Sequence, residues 1–164
     1  MVKKTPRKSG NSHKKPKITK VNRPDVIELK IPSLPKYVSV ACLTVSNIAH
    51  QMSFGKDTIE DIGLAVSEAC TNVVKYAYKK KSASNVIVIR AGIYPDKLDI
   101  VVMDTGRGFD PKKIKAYQRN IMTTKADKSL GQGIFLIKSL MDKVEILSRN
   151  KNGTQVRMIK NLAK

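Results

Sequence analysis

Tryptophan is absent from this 164-residue chain, and aromatic residues make up only 5% of it. Surfaces that stack RNA bases interleave aromatic with basic side chains, and no such interleaving is present. No apolar run reaches about 18 residues, which excludes a membrane-spanning helix. The basic N-terminus is followed by no apolar segment and so does not read as a secretory signal. It also lacks an apolar face, which argues against a transit peptide. Cysteine is limited to Cys42 and Cys70, and histidine to His13 and His50. Their spacing with acids suggests no zinc site. Both cysteines fall in apolar helical patterns and read as reduced core residues of an intracellular protein. There is neither a Walker-type phosphate loop nor a nucleophile-elbow serine.

Acids are scarce as well. The chain has 13 Asp and Glu against 32 Lys and Arg, a net charge of +19. Nine basic residues and no acid lie in residues 1–24, while residues 25–164 hold 23 basic and 13 acidic residues. The first stretch has too few aliphatics to offset chain entropy and is expected to be a disordered basic tail. Residues 25–164 are long enough for one domain with its own core. The charge itself motivates a polyanion partner, and nucleic-acid contact by the tail stays open on that ground.

Within the domain, Val26 to Ile31 alternates as a half-buried strand does. Pro32 ends it, and Ser33 is placed to cap the next helix. Residues 34–52 repeat apolar side chains at spacings of three and four, as do residues 57–78 through Ile62, Ala65, Val66, Ala69, Cys70, Val73 and Ala77. Acids early in the second helix and Lys79, Lys80 and Lys81 after it match the helix dipole. Residues 86–93 and 98–103 read as an antiparallel hairpin around Tyr94-Pro95-Asp96-Lys97. Residues 112–130 show little periodicity and many lysines, a long connection of the kind that forms a mobile lid. Leu130-Gly131-Gln132-Gly133 then opens a helix to about Asp142. Residues 143–148 and 154–159 close the chain as a second hairpin. The order β-α-α-β-β-loop-α-β-β predicts an α+β fold, a two-layer sandwich whose antiparallel-rich sheet is covered on one face by three helices.

Three segments combine residue types that carry chemistry. Glu68 and Asn72 stand one turn apart on one helical face. A carboxylate beside a carboxamide suits Mg²⁺, which takes few protein oxygens; a hydrogen bond between them on the helix surface accounts for the same spacing. Asp104-Thr105-Gly106-Arg107-Gly108 follows a strand, where the acid can accept a bond from an exocyclic amine and the glycines admit close approach or positive φ. An ordinary turn has the same composition. Gly131-Gln132-Gly133 at a helix start would offer free N–H groups to an anion, although a lone GxG is weak evidence.

Together, in this order and spacing, the three segments resemble the Bergerat (GHKL, histidine-kinase-like) ATP-binding fold. Glu68 to Asn72 with Val73 to Tyr78, Leu130 to Ile137, Leu140-Met141-Asp142 and Asn152-Gly153-Thr154 are most similar to the small RsbW-like anti-sigma factor serine kinases. The resemblance covers about residues 26–160. It implies a mostly antiparallel mixed sheet, ATP with Mg²⁺, Glu68 as general base toward a serine hydroxyl, and Asn72 as Mg²⁺ ligand. It further implies Asp104 on the adenine amino group with Gly106 and Gly108 shaping that wall, Gly131 and Gly133 at the phosphates, and Thr154 near adenine. Lys125 or Lys128 of the lid would offset γ-phosphate charge.

Gln132 departs from the leucine often found in the family, and residues 112–129 match no family pattern. The implied function is sequestration of a sigma factor and phosphorylation of a STAS-domain anti-anti-sigma protein by a cytoplasmic homodimer. A nucleotide-binding, partner-switching module without phosphotransfer is the alternative. Glu68 argues against it, because binding alone requires no base.

Overall fold

The computed structural model describes residues 23–80, 82–108, 125–148 and 152–163, and for residues 125–130 the backbone alone. The expected tail lies almost wholly outside these residues, as does most of the expected lid. The elements are β1 (Asp25–Pro32), α1 (Val38–Gln51), α2 (Lys56–Asn72), β2 (Val86–Ile93), β3 (Lys97–Asp104), α3 (Lys125–Leu140), β4 (Lys143–Ser148) and β5 (Thr154–Asn161). A short 3-10 turn, Pro35–Tyr37, precedes α1, and a π turn, Val73–Ala77, extends α2. Five strands form one sheet in the order β1-β2-β3-β5-β4. All four pairings are antiparallel: β2–β3 and β4–β5 are the two expected hairpins, and the structure adds β1 beside β2 and β3 beside β5.

Alternation along the strands decides which face the helices cover. Ile87, Ile89 and Ala91 of β2, Leu98, Ile100 and Val102 of β3, and Val156 and Met158 of β5 point into the core. Opposite them lie Ala41, Val45, Ile48 and Ala49 of α1, Ile62, Ala65, Val66, Ala69 and Cys70 of α2, and Ile137 of α3. Helix α2 packs between α1 and α3. Where it crosses α1, a Cβ on Gly63 would lie 2.9 Å from the Ser46 hydroxyl, so the two helices approach closely there. Lys160 donates to the Leu140 carbonyl at 2.7 Å and so pins the end of α3 to β5. Cys70 is fully buried, and desolvation pushes its thiol up to about 12; burial also raises half-buried Cys42. Both are free thiols, as their apolar setting suggested.

Three local expectations are corrected. Ser33 caps nothing: its hydroxyl is buried without a partner among the described residues, while its N–H donates to the Asn85 carbonyl. Proline at the first position of the 3-10 turn needs no N–H acceptor, which removes the demand for a side-chain cap. The second helix is α-helical only to Asn72 and continues as the wider π turn. Finally, α3 begins by Lys125, so Gly131 and Gly133 lie within the helix and its opening turn is elsewhere. Residues 125–130, Lys-Ala-Asp-Lys-Ser-Leu, carry no apolar stripe, which is why periodicity alone missed these turns.

The sheet's other face carries ion pairs in place of a second helical layer. Arg90 donates to Glu28 at 2.8 Å on the β1–β2 pair. Asp99 on β3 is only 7% exposed, and Arg157 on β5 covers it with a two-pronged contact of 2.9 and 2.6 Å. Removing the guanidinium would strand a buried carboxylate. Arg157→Ala is therefore expected to cost about 2 kcal/mol of folding stability in urea titration. Replacing both partners, Asp99→Val with Arg157→Met, should recover most of that loss.

Candidate active site

Glu68 and Asn72 lie in the last turns of α2, both half-buried beside its fully buried stripe. Gly133 of α3 lies directly against them. A Cβ added there would come within 2.8 Å of Glu68 Oε2 and 3.3 Å of Asn72 Nδ2. The glycine thus leaves the carboxylate and carboxamide uncovered where any side chain would press on them. Two oxygen-bearing groups beside small residues match what a Mg²⁺–phosphate unit requires of its protein ligands. The structure therefore brings the E-x-x-x-N and G-x-G segments together. It arises from close helix packing, with Gly133 inside α3, instead of from donors at a helix start.

Asp104 ends β3 and is 8% exposed. Desolvation raises its pKa above the ordinary carboxylate value, opposed by hydrogen bonds from the N–H groups of Gly106 and Thr154. The Gly106 bond is 2.7 Å, to Oδ1. An ionised carboxylate accepts about four such bonds, so Asp104 retains capacity for an exocyclic amine. Thr154 pairs with Asp104 across β3 and β5, and its hydroxyl lies 3.1 Å from that of Ser148. Gly153 donates to the Gly106 carbonyl at 2.8 Å from a left-handed conformation, φ +73°. Its missing Cβ would strike the Asp104 carbonyl, whose carbon would be 2.8 Å away. Gly108 is left-handed too, at φ +63°.

The Asp104 loop is fastened to the end of α2 through residues to which sequence reading gave no role. The Arg107 N–H donates to the Ala77 carbonyl at 2.8 Å, and its Nε donates to the Tyr76 carbonyl at 2.7 Å. A Cβ on Gly106 would clash with that same Ala77 carbonyl. Tyr78 donates to the Val86 carbonyl at 3.0 Å and accepts from the Thr105 N–H at 3.2 Å. The only signal for these roles was that Arg107 stands between two glycines and that aromatic residues follow Asn72. Lys125 and Lys128 fall in α3, where only the backbone is described, and Gly131 is buried within it.

Residues 31–160 match the family described as the histidine kinase-like ATPase domain. The chain is 42% identical over 142 residues to the serine-protein kinase RsbW of Oceanobacillus iheyensis, covering 85% of this chain and 88% of that protein. It is 38% identical over 145 residues to the serine-protein kinase RsbW of Bacillus subtilis, covering 86% and 88%. The chain belongs to the RsbW family of histidine kinase-like ATPases. Among solved structures, the RsbU and RsbW domains of a Mycobacterium tuberculosis protein superpose with a TM-score of 0.62 at 16% identity. That match covers 85% of this chain and a 33% share of the longer one. The mycobacterial sensor histidine kinase MprB gives 0.50 at 14% identity over 85% of this chain and 97% of its own. At such identities the likeness extends to the fold. The match to the histidine kinase-like ATPase domain, residues 31–160, includes every segment of the site, from Glu68 to Thr154.

Two measurements check this geometry. Because burial raises the Asp104 pKa, the folded protein binds its proton more tightly than the unfolded chain does. Stability should therefore fall as pH rises from the ordinary value of 3.8 through the raised one. In urea titrations across that range, wild type should lose ground relative to Asp104→Asn, which carries no charge. Gly133→Ala should leave the melting temperature within a few degrees of wild type, since a carboxylate tip can swing aside. It should also displace Glu68 and Asn72 enough to weaken nucleotide binding, read by isothermal titration.

Proposed function

We propose that the protein is an ATP- and Mg²⁺-dependent serine protein kinase that also acts as an anti-sigma factor. In this reading it binds a sigma factor and phosphorylates a serine of a STAS-domain anti-anti-sigma protein, as a homodimer in the cytoplasm. Membership in the RsbW family supports the kinase; the two partners and the dimer rest on the resemblance. No helix among the described residues is long and apolar enough to cross a membrane.

The single observation that carries the reading is the seating of Gly133 against Glu68 and Asn72. It supports a division of labour along α2. Asn72 offers its carboxamide oxygen to Mg²⁺, and Glu68 accepts the proton of the incoming serine hydroxyl, a role that contributes roughly 10²- to 10⁴-fold. Asp104 receives the adenine amino group, with Gly106, Gly108 and Thr154 forming that wall. Bound Mg²⁺ supplies neutralisation of phosphate charge. The remaining work is positioning: the helix pair holds base and metal ligand on one element, so their spacing does not vary.

Phosphotransfer from Mg-ATP to a candidate STAS protein tests this. Wild type should label a serine. Glu68→Ala should lower the rate by about a thousandfold with ATP affinity retained, and Asn72→Ala should lose Mg²⁺-dependent ATP binding. A wild-type protein that binds ATP and labels nothing would sink the kinase and leave the partner-switching module.

A further inference from the structure

We propose that Arg107 is a positioning residue for base recognition: its guanidinium, clamped to the carbonyl end of α2, fixes the loop that aims the Asp104 carboxylate. This rests on Asp104 being the group that reads adenine.

The bonds of residues 104–107 account for the loop's position. Asp104 Oδ1 accepts from the Gly106 N–H at 2.7 Å, so the carboxylate turns with Gly106. Gly106 in turn has no freedom of its own. On one side its carbonyl accepts from Gly153 at 2.8 Å; on the other, the space for a Cβ is filled by the Ala77 carbonyl. The next residue secures it twice to the π turn, through the Arg107 N–H to Ala77 and through Nε to Tyr76.

Carbonyls at a helix end lack intrahelical donors and carry partial negative charge, so a cationic planar donor suits them. The π turn, Val73–Ala77, begins directly after Asn72. Arg107 therefore ties the base-reading wall to the element bearing the Mg²⁺ ligand and the general base. Of the contacts that hold the loop, the Arg107 side chain is exposed and lies outside the core, so it is removable without a cavity. A plain helix-capping role would contribute stability and nothing to selectivity, and the two roles separate in one experiment.

The full-length protein is titrated with ATP and with inosine triphosphate, which carries an oxo group in place of the adenine amine. Wild type should prefer ATP. Arg107→Ala should weaken ATP binding about tenfold, the worth of one charge-assisted hydrogen bond, and leave inosine triphosphate binding nearly unchanged. Arg107→Lys keeps the charge but lacks the fixed planar donor and should be similarly unselective. Tyr78→Phe, which releases the Thr105 anchor, should shift the ratio in the same direction. Equal losses for both nucleotides, or a lowered melting temperature with the ATP preference intact, would overturn the proposal and leave a cap. Wild type showing no preference would instead overturn the assignment of Asp104, on which the proposal rests.

Discussion

The Ala77 carbonyl is the point on which the site's geometry turns. It accepts the Arg107 N–H and fills the space a side chain at position 106 would occupy. That contact fixes where the strand end carrying Asp104 meets the helix carrying Glu68 and Asn72. Without it the two, in different layers, would be joined by apolar packing of α2 on β3, which resists separation better than sliding, and by the side-chain bonds of Arg107 and Tyr78 alone. Directional bonds between backbone groups set a register that packing leaves soft. The same junction explains why two glycines flank Arg107: one has no room for a Cβ, and the other takes a left-handed turn as the chain departs.

The π turn belongs to this arrangement. The last carbonyls of a helix have no intrahelical donors, and here those of Tyr76 and Ala77, at the end of the π turn, are met by Arg107. Local departures from α geometry of this kind are frequent at functional sites. Here the departure falls directly after the two catalytic candidates, leaving the Glu68–Asn72 spacing regular and concentrating the distortion where the second wall docks.

Much of this was legible in the sequence, for reasons that can be assigned residue by residue. Alternation at Leu98, Ile100 and Val102, and spacings of three and four from Ile62 to Cys70, report burial directly. The order of elements along the chain and the helix count followed from them, though the β3–β5 neighbourhood in the sheet did not. The pairing of Glu68 with Asn72 was equally plain, since one helical turn separates them. What escaped was structure set by contacts distant in sequence. The π turn meets Arg107, which lies more than thirty residues downstream of Tyr76, and nothing near residue 73 announces that contact. Ser33 has the composition of a cap, yet the neighbouring strand engages its N–H and Pro35 starts the turn that follows. Burial of Asp99 could not be anticipated without knowing that Arg157 stands beside it on β5. The start of α3 failed for a different reason: propensity without amphipathic pattern leaves no periodic trace.

The placement of β1 bears on the uneven distribution of charge. Its register sets Ile31 beside Ile87, which in turn faces Asp104, whereas Asp25 lies at the other end of the sheet beside Ile93. Six residues of strand, about 20 Å, therefore separate Asp25 from the level of Asp104. Asp25 is exposed, so at physiological ionic strength, where charge is screened over about 8 Å, the surrounding salt damps its field well within that distance. The fold thus offers an attachment point away from one wall of the candidate site: a label or surface tether held at Asp25 would stand at the opposite end of the sheet from Asp104.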